Sequence, residues 1–368
     1  MSESLRRHWK LFGIPFTTFL SLITIIQAST YFGYPLLQGS GALGVVSIAL
    51  LSTIAGLVFF IVENFERRGE RVGSANILSK AVTMQIEKCI ERHEYESAIV
   101  LAKSMSRPLW LEGRYRDRLR LGELLQRAAS SVNPPDVPAL VQALIDELGW
   151  TNIELNHFEL ASRNIHEGIK YAEQIDDPYL IARGYRHLSG LAQREGDKGN
   201  AQHYLDLAEK VATRITNKHR EEMMAGISFG RGDLCLITNE RRTSEKARGY
   251  FLAARAIQEK LGDRERLVKT NMRLGQTYQR LGENARAYDF FYRSLKSARD
   301  LSWLQQICEV DLHLGQLMLE EHNYADALKT FQEAKTISKY TDLETLYDEA
   351  VRLVDKTQKL SKGEKQNG

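Results

Sequence analysis

The 368-residue sequence contains only three cysteines, and no two of them are placed to act together. Cys89, Cys235 and Cys308 form no Cys-x-x-Cys pair and match no zinc-ligand spacing. The sequence also lacks an Asn-x-Ser/Thr glycosylation sequon. Isolated thiols in apolar helical surroundings are typical of free, buried cysteines in a reducing compartment. The sequence therefore predicts neither disulfides nor a metal centre.

Motifs that carry catalysis are also missing. There is no glycine-rich phosphate loop, nucleophile elbow or paired-carboxylate motif. His157 and His166 lie nine residues apart, which is not the spacing of a metal-binding pair. Arg231-Gly232-Asp233 matches an integrin-binding tripeptide, but a structural helix glycine is expected at Gly232. We therefore expect no enzymatic activity and no cofactor, with an unrecognised enzyme as the least favoured alternative.

Charge is absent from one long stretch near the N-terminus. From Leu11 to Val62 there is no Asp, Glu, Lys, Arg or His. A transmembrane helix needs about 20 apolar residues, so this stretch suffices for two spans, at about 11–31 and 43–62. Glycine and proline between them favour a turn. The stretch 11–62 is thus predicted to be a two-helix transmembrane hairpin, and its small and hydroxyl residues favour close helix packing, oligomerisation or a pore.

Basic residues flank the predicted hairpin at both outer ends, and its connecting turn has none. They are Arg6, Arg7 and Lys10 before it, and Arg67, Arg68 and Arg71 after it. The positive-inside rule then places residues 1–10, the juxtamembrane linker 63–74 and the rest of the chain in the cytoplasm. No Ala-x-Ala cleavage site follows the first span, which argues against a signal peptide. The prediction is an integral membrane protein with both termini cytoplasmic, in a bacterial plasma membrane or, as the alternative, in a eukaryotic endomembrane.

Beyond the hairpin the chain has almost no net charge, and its C-terminal half contains no proline. Without Arg6, Arg7, Lys10 and Glu3, the remaining chain carries 47 basic and 46 acidic residues, a difference of +1. A nearly neutral domain argues against a nucleic-acid partner. No proline follows Pro178, which favours a remainder that is almost entirely helical.

A pattern of two helices joined by a short turn lies at 274–294. Leu274, Gly275 and Tyr278 share one face of the first helix, and Gly282 falls where a left-handed cap would end it. The second helix carries small and apolar residues at i, i+4 and i+7: Ala287, Phe291 and Ser294. Small residues let the helices approach, and the phenylalanine fills the groove between them. The unit resembles a tetratricopeptide repeat, a family whose members are all-α solenoids.

The pattern recurs along the chain. The second-helix alanines stand at 161, 201, 247, 287 and 327, with gaps of 40, 46, 40 and 40 residues. The commonest repeat of the family has 34 residues, so the resemblance is to its variants of about forty. The predicted organisation is degenerate helical repeats at 75–142, five such repeats at 143–342, a capping helix at 343–360 and a disordered tail at 361–368.

The resemblance also implies a concave surface, lined by the first helices, that binds proteins or peptides. The family's groove-facing positions in the second and fourth repeats correspond to Arg183, Arg186, Gln193, Arg194, Lys269, Gln276, Gln279 and Arg280. The flanking repeats offer Asp146, Trp150, Glu154, Glu309, Gln316 and Glu320. The Asn/Lys clamp that some members use for a C-terminal carboxylate is not matched. We hypothesise a basic groove that recognises an acidic segment; the alternative is that these are ordinary solvated charges.

The function that these observations favour is a membrane-tethered scaffold or adaptor that recruits a protein or peptide, possibly acidic, to the bilayer. A first alternative is a signalling sensor whose solenoid changes curvature when a ligand binds. A second is a membrane-active effector whose repeats sense a trigger and whose hairpins assemble into a pore. Homo-oligomerisation through the hairpin is compatible with each of them.

Overall fold

The computed structural model describes residues 71–238 and 240–367. The predicted hairpin at 11–62 and most of the linker at 63–74 lie outside this part. Among the described helices, none combines the length and the apolar character that crossing a bilayer requires. Residues 82–368 form one compact unit by themselves. The described secondary structure is helical throughout, as the prediction of an all-α solenoid requires.

The first helices of the described part precede the regular repeats. They are α1 (Arg71–Glu91), α2 (Tyr95–Leu111) and α3 (Tyr115–Ser131). The next, α4, consists of three continuous segments: Val137–Gln142, a π-helical Ala143–Trp150, and Thr151–Glu154. In the region predicted to hold degenerate repeats, α3 packs against α2 on one side and against α4 on the other. This helix thus packs between α2 and α4 and is not followed by a separate second helix that would complete a repeat.

The remaining helices alternate regularly. They are α5 (Phe158–Gln174), α6 (Pro178–Arg194), α7 (Lys198–Ala212), α8 (His219–Leu236), α9 (Arg241–Leu261), α10 (Arg264–Arg280), α11 (Asn284–Asp300), α12 (Leu304–Glu320), α13 (Tyr324–Ser338) and α14 (Glu344–Asn367). The five predicted repeats correspond to the pairs α4–α5, α6–α7, α8–α9, α10–α11 and α12–α13. The two helices of each pair pack closely on each other.

The residues that define the repeat pattern form its core. The five second-helix alanines and the five large residues that follow them by four positions are fully buried: Ala161, Ala201, Ala247, Ala287, Ala327, Ile165, Leu205, Phe251, Phe291 and Phe331. Burying a large apolar side chain contributes about 1.5–3 kcal/mol. The same two positions therefore supply much of the stability of every repeat.

Glycine in the first helix sets how closely the two helices of a repeat approach. A Cβ added at Gly275 would lie 2.5 Å from the Phe291 ring, and one at Gly315 would lie 2.5 Å from the Phe331 ring. In the second repeat this position is Ser189, whose hydroxyl donates a 2.9 Å hydrogen bond to the carbonyl oxygen of Ala201. A small residue is therefore needed here, and the serine uses its hydroxyl to link the helices.

Replacing Gly275 with alanine should destabilise the protein. The new methyl group would overlap the fully buried Phe291 ring, and overpacking of this kind typically costs about 1–3 kcal/mol. The exposed helix glycine Gly249 is a matched control, because a Cβ there meets nothing within 4 Å. Gly249→Ala should instead raise the free energy of unfolding by about 0.5–1 kcal/mol, because alanine favours the helix more than glycine does. Urea unfolding followed by circular dichroism measures both changes, and equal effects would contradict this account of the repeat.

The C-terminal helix covers the last repeat. Ala350, Leu353 and Val354 of α14 pack into a cluster with Phe331 and Ala334 of α13. This is the segment, 343–360, for which the sequence predicts a capping helix. The helix continues to Asn367, however, so most of the segment 361–368, expected as a disordered tail, is helical.

Candidate functional site

The predicted groove residues lie on α6 and α10, the first helices of the second and fourth repeats. Several of their side chains reach the neighbouring first helix. Arg183 Nε lies 2.9 Å from Asp146 Oδ1 of α4, and Arg194 Nη2 lies 3.0 Å from Glu154 Oε2. Gln193 Nε2 donates to the Gly230 carbonyl oxygen of α8 at 3.4 Å. The inner face is therefore a continuous polar surface that crosses from helix to helix.

The residues predicted on α10 also have partners on neighbouring first helices. Gln276 hydrogen-bonds His313 of α12, and Gln279 Nε2 donates to Glu320 Oε2 at 2.9 Å. Arg280 Nη1 donates to the Leu236 carbonyl oxygen at 2.6 Å, near the C-terminus of α8. Backbone carbonyls at a helix end are favourable partners for a cation. These three side chains thus stabilise the stacking of repeats as well as lining the groove.

Lys269 is enclosed by three tryptophans that come from distant parts of the chain. Its ammonium nitrogen lies 5.3 Å from the ring centroid of Trp110, 5.5 Å from that of Trp150 and 5.3 Å from that of Trp303. A cation over aromatic faces at this distance is stabilised by about 0.5–2 kcal/mol per ring. Burial lowers the pKa of Lys269, and the nearby carboxylates Glu154 and Glu309 oppose that shift.

The turn between α2 and α3 reaches across to the C-terminal repeat. The Tyr115 hydroxyl donates to Gln305 of α12. The Asp342 backbone N–H donates to the Gly113 carbonyl oxygen at 2.9 Å, and the Arg116 backbone N–H donates to Asp342 Oδ2 at 2.9 Å. Residues 110–116, which we call the crossing turn, therefore join helices more than 180 residues apart in sequence. No pattern in the sequence predicts this contact.

Arg186 and Lys269 are the two predicted groove residues that make no hydrogen bond or ion pair with any residue that the structure describes, but Lys269 is enclosed by three tryptophan rings. The Arg186 side chain is half-buried between α6 and α8. Burial, Arg266 and Arg183, in that order, lower the pKa of Arg186 to about 10. Among these eight residues, Arg186 is therefore the cation whose charge the described partners leave least compensated.

A second polar cluster near Arg186 was missed in the sequence. Glu222 of α8 accepts hydrogen bonds from the Tyr179 hydroxyl at 2.8 Å and from Arg266 Nη2 at 2.7 Å, and it pairs with His219 Nδ1 at 3.0 Å. Burial raises the pKa of Glu222, but the hydrogen bond with His219, the Arg266 charge and the Tyr179 hydrogen bond outweigh it and lower the pKa to about 2. The family's groove positions did not include these residues, so only the three-dimensional fold could identify them.

His313, on the α12 side of the groove, should make stability depend on pH. Its ring stacks on Phe291 with centroids 6.0 Å apart. Burial and then the Arg273 charge lower the pKa of His313 to about 4. The unfolded chain, with an ordinary histidine pKa near 6.5, binds the proton more readily between about pH 6.5 and 4. The contribution of His313 to stability is therefore present above pH 6.5 and is lost as the pH falls towards 4.

The variant His313→Phe removes this proton-binding site and can still stack on Phe291. Between pH 6.5 and 4, its unfolding free energy should fall less than that of the parent chain. The expected difference exceeds about 1.4 kcal/mol, the equivalent of one pKa unit. Urea unfolding at a series of pH values measures it, and parallel profiles for the two proteins would contradict the prediction.

Among the described residues, no three His, Cys, Asp or Glu side chains lie close enough together to hold a metal ion. The groove instead offers guanidinium groups, amides and aromatic rings, which are the groups that proteins use to bind peptides by ion pairing, hydrogen bonding and stacking.

Comparison with known proteins gives similarity of structure only. No protein-family profile matches the chain, and no curated protein matches its sequence. A signal transduction ATPase with a tetratricopeptide repeat sensor, from Pyrococcus horikoshii, is 14% identical with a TM-score of 0.51; the match covers 80% of this chain and 44% of that one. This chain therefore spans less than half of that protein.

A second similar structure is the Rap conjugation gene regulator of the plasmid pLS20 in complex with the Phr* peptide. It is 15% identical, with a TM-score of 0.50, and the match covers 74% of this chain and 77% of that one. At these identities the similarity concerns the fold alone. The chain has a tetratricopeptide-like all-α repeat fold.

Proposed function

We propose that the chain is a membrane-tethered scaffold or adaptor that binds a protein or peptide on the cytosolic face. The observation that carries this proposal is the continuous polar inner face of α4, α6, α8, α10 and α12, which contains the half-buried, unpaired Arg186. The Rap regulator was solved with a bound peptide, and the fold that it shares with this chain supports the choice of a peptide-like ligand. The uncharged stretch 11–62 supports the tether.

The groove is less basic than its number of arginines suggests. Asp146 and Glu154 neutralise Arg183 and Arg194 within the chain, and Glu222 neutralises Arg266. An acidic partner would meet these pairs already formed and would gain little from them, because the arginines already bind largely buried carboxylates within the chain. We therefore expect recognition to depend on a small number of positions, with the remaining polar side chains setting the shape of the groove.

Partner capture with the full-length chain tests the proposed groove. The comparison is between the parent and a variant that carries Arg183→Glu, Arg186→Glu and Arg194→Glu. A control with the same charge change replaces the exposed outer lysines Lys170, Lys210 and Lys246 with glutamate. A partner that is retained by the parent and the control but lost by the groove variant supports the proposal. Equal capture by all three proteins contradicts it, provided that circular dichroism shows each to be folded.

The tether is tested separately, by fractionating bacterial cells that produce the full-length chain. We expect the protein in the membrane pellet after an alkaline carbonate wash, with residues 72–368 accessible to protease only from the cytoplasmic side. A protein released by the wash, or a repeat domain that is protected on that side, would contradict the tether or its orientation.

A ligand-responsive sensor is the second candidate, and the crossing turn is the observation that favours it. A few contacts around Gly113, Tyr115 and Arg116 join α2 and α3 to the last repeat. Because Lys269 and its three tryptophans lie between the two ends, a ligand in the groove would compete with these contacts or reinforce them. A change in radius of gyration when the captured partner binds would favour the sensor, and an unchanged radius would favour a passive scaffold.

A further inference from the structure

The acids in the part of the groove that contains Arg186 already have partners. Asp146 on α4, whose charge acts on Arg186, pairs with Arg183 Nε at 2.9 Å. Glu222 on α8 is held by Arg266, Tyr179 and His219. The side chains of Arg183 and Arg266 keep roughly a third of their surface exposed, at 32% and 33%. Three guanidinium groups thus share one part of the groove, and the described carboxylates bind only two of them.

The backbone of α8 holds the Arg186 side chain in place. A Cβ added at Gly226 would lie 2.9 Å from Arg186 Cδ and 3.1 Å from its Nε. Because Gly226 has no side chain, the arginine stem lies directly against the α8 helix. Contact with the helix restricts the stem, so less side-chain entropy is lost when a ligand binds. The guanidinium group is therefore both unpaired and restricted in position.

We propose that Arg186 binds an oxyanion, and that in the proposed function this oxyanion is a side-chain carboxylate or phosphate of the peptide partner. A planar guanidinium donates two parallel hydrogen bonds to either group, and bidentate pairs of this kind are stronger than ordinary hydrogen bonds. The proposal deepens the proposed function and rests on it for the identity of the ligand, but not for the existence of the anion site.

The first test uses inorganic phosphate, because its binding does not require the partner to be known. Melting of the full-length chain is followed by circular dichroism as phosphate replaces chloride at constant ionic strength. A ligand that binds only the folded state raises the melting temperature with a saturating dependence on its concentration. Arg186→Gln should reduce the phosphate-dependent rise at least fivefold, and Arg186→Lys should keep part of it. The exposed Arg163→Gln is the matched control and should keep all of it.

A variant that preserves every charge strengthens this test. Gly226→Ala places a methyl group where the Arg186 stem lies and should displace the guanidinium group, so the response to phosphate should weaken although Arg186 is present. If Arg186→Gln and Arg163→Gln respond as the parent does, the rise comes from an adventitious ion only and the proposal is wrong. A parent chain that shows no saturating rise overturns it as well.

Two small probes then distinguish the two sources of the oxyanion. N-acetyl-glutamate amide and N-acetyl-phosphoserine amide carry the carboxylate and the phosphate respectively. If the glutamate probe competes with phosphate, the result supports an acidic peptide. If the phosphoserine probe competes, it supports a phosphorylated peptide. If neither probe competes, a peptide oxyanion at this site is contradicted. If phosphate binds at Arg186 but no partner is captured, the scaffold proposal fails and the anion site stands. If a partner binds equally well to Arg186→Gln, the site proposal fails and the scaffold stands.

Discussion

Replacing Glu147 with alanine should destabilise the chain by about 3–5 kcal/mol, the cost of leaving a buried charge without its partner. Glu147 Oε2 lies 2.8 Å from Arg118 Nε, and the two side chains are only 1% and 8% exposed. Glu147 Oε1 also accepts a 2.6 Å hydrogen bond from the Ser106 hydroxyl. One carboxylate therefore connects α2, α3 and α4, and its loss should loosen the attachment of α2 and α3 to the repeats.

Urea unfolding measured by circular dichroism checks this expectation, with Glu123→Ala as the matched control. Glu123 also pairs with an arginine, Arg120, but both side chains are more than half exposed, at 59% and 53%. Exposed pairs contribute about 0–1 kcal/mol, so the control should change little. The double variant Arg118→Met, Glu147→Leu should recover most of the loss, because apolar residues can replace a buried pair. A loss below 1 kcal/mol for Glu147→Ala would contradict the role that we assign to it.

Tyr115→Ala, as a single substitution, should lower the free energy of unfolding by about 3–5 kcal/mol, the usual cost of truncating a large buried aromatic side chain. It should also separate the two ends of the solenoid. The Tyr115 ring is fully buried and packs edge-on against Trp110 with centroids 5.2 Å apart. Its hydroxyl donates to Gln305. Truncation leaves a cavity beneath the crossing turn and removes the link to α12. The crossing turn should then open in a larger fraction of molecules.

Hydrogen exchange locates this effect. The amide of Asp342 donates to the Gly113 carbonyl oxygen in the parent and should exchange at least about tenfold faster in Tyr115→Ala, because local opening becomes easier. The amide of Phe291, within α11, is the internal reference and should change much less. Tyr115→Phe keeps the ring and loses only the hydroxyl, so it should cost about 1 kcal/mol. An unchanged Asp342 amide in Tyr115→Ala would show that the crossing turn does not depend on this ring.

The regular repeats could be predicted because the same local rule recurs in each of them. In each repeat, the interface between the two helices contains the same three kinds of residue. They are a small residue in the first helix, an alanine in the second, and a large apolar residue four positions after that alanine. Ala287 and Phe291 can be recognised from spacing alone, since helix geometry places them on one face. Gly282, with its φ of +77°, ends α10 as a left-handed glycine should. At the equivalent turn of the last repeat, His322 adopts a left-handed φ of +60°. The identity of this residue does not predict that conformation, because it is not a glycine.

The crossing turn could not be predicted, for a different reason. Trp110 and Trp303 lie almost two hundred residues apart, and their ring centroids are 6.1 Å apart only because the solenoid curves through the four repeats between them. Small rotations between neighbouring repeats accumulate along the chain. The sequence pattern identifies each repeat but does not predict the rotation between one repeat and the next. Contacts between the two ends are therefore a property of the whole array.

The pairing of the groove charges was unpredictable from sequence for a similar reason. Arg183, Arg186 and Arg194 occupy comparable positions on one helix, and the sequence offers no means to rank them. Two of them meet carboxylates of α4, while Arg186 faces the bare backbone at Gly226. The predicted residues lie on α6 and α10, but the difference between a paired and an unpaired arginine depends on which neighbour each side chain meets.

Site-specific photo-crosslinking in cells that naturally carry the protein tests most directly whether the inner face is the recognition surface. A photoreactive amino acid replaces Arg194 on the inner face in one version of the full-length chain and Lys210, exposed on α7, in the other. The account predicts a discrete crosslinked partner from position 194, which decreases when Arg186→Gln is added, and none from position 210. A partner crosslinked from position 210 but not from 194 would contradict it.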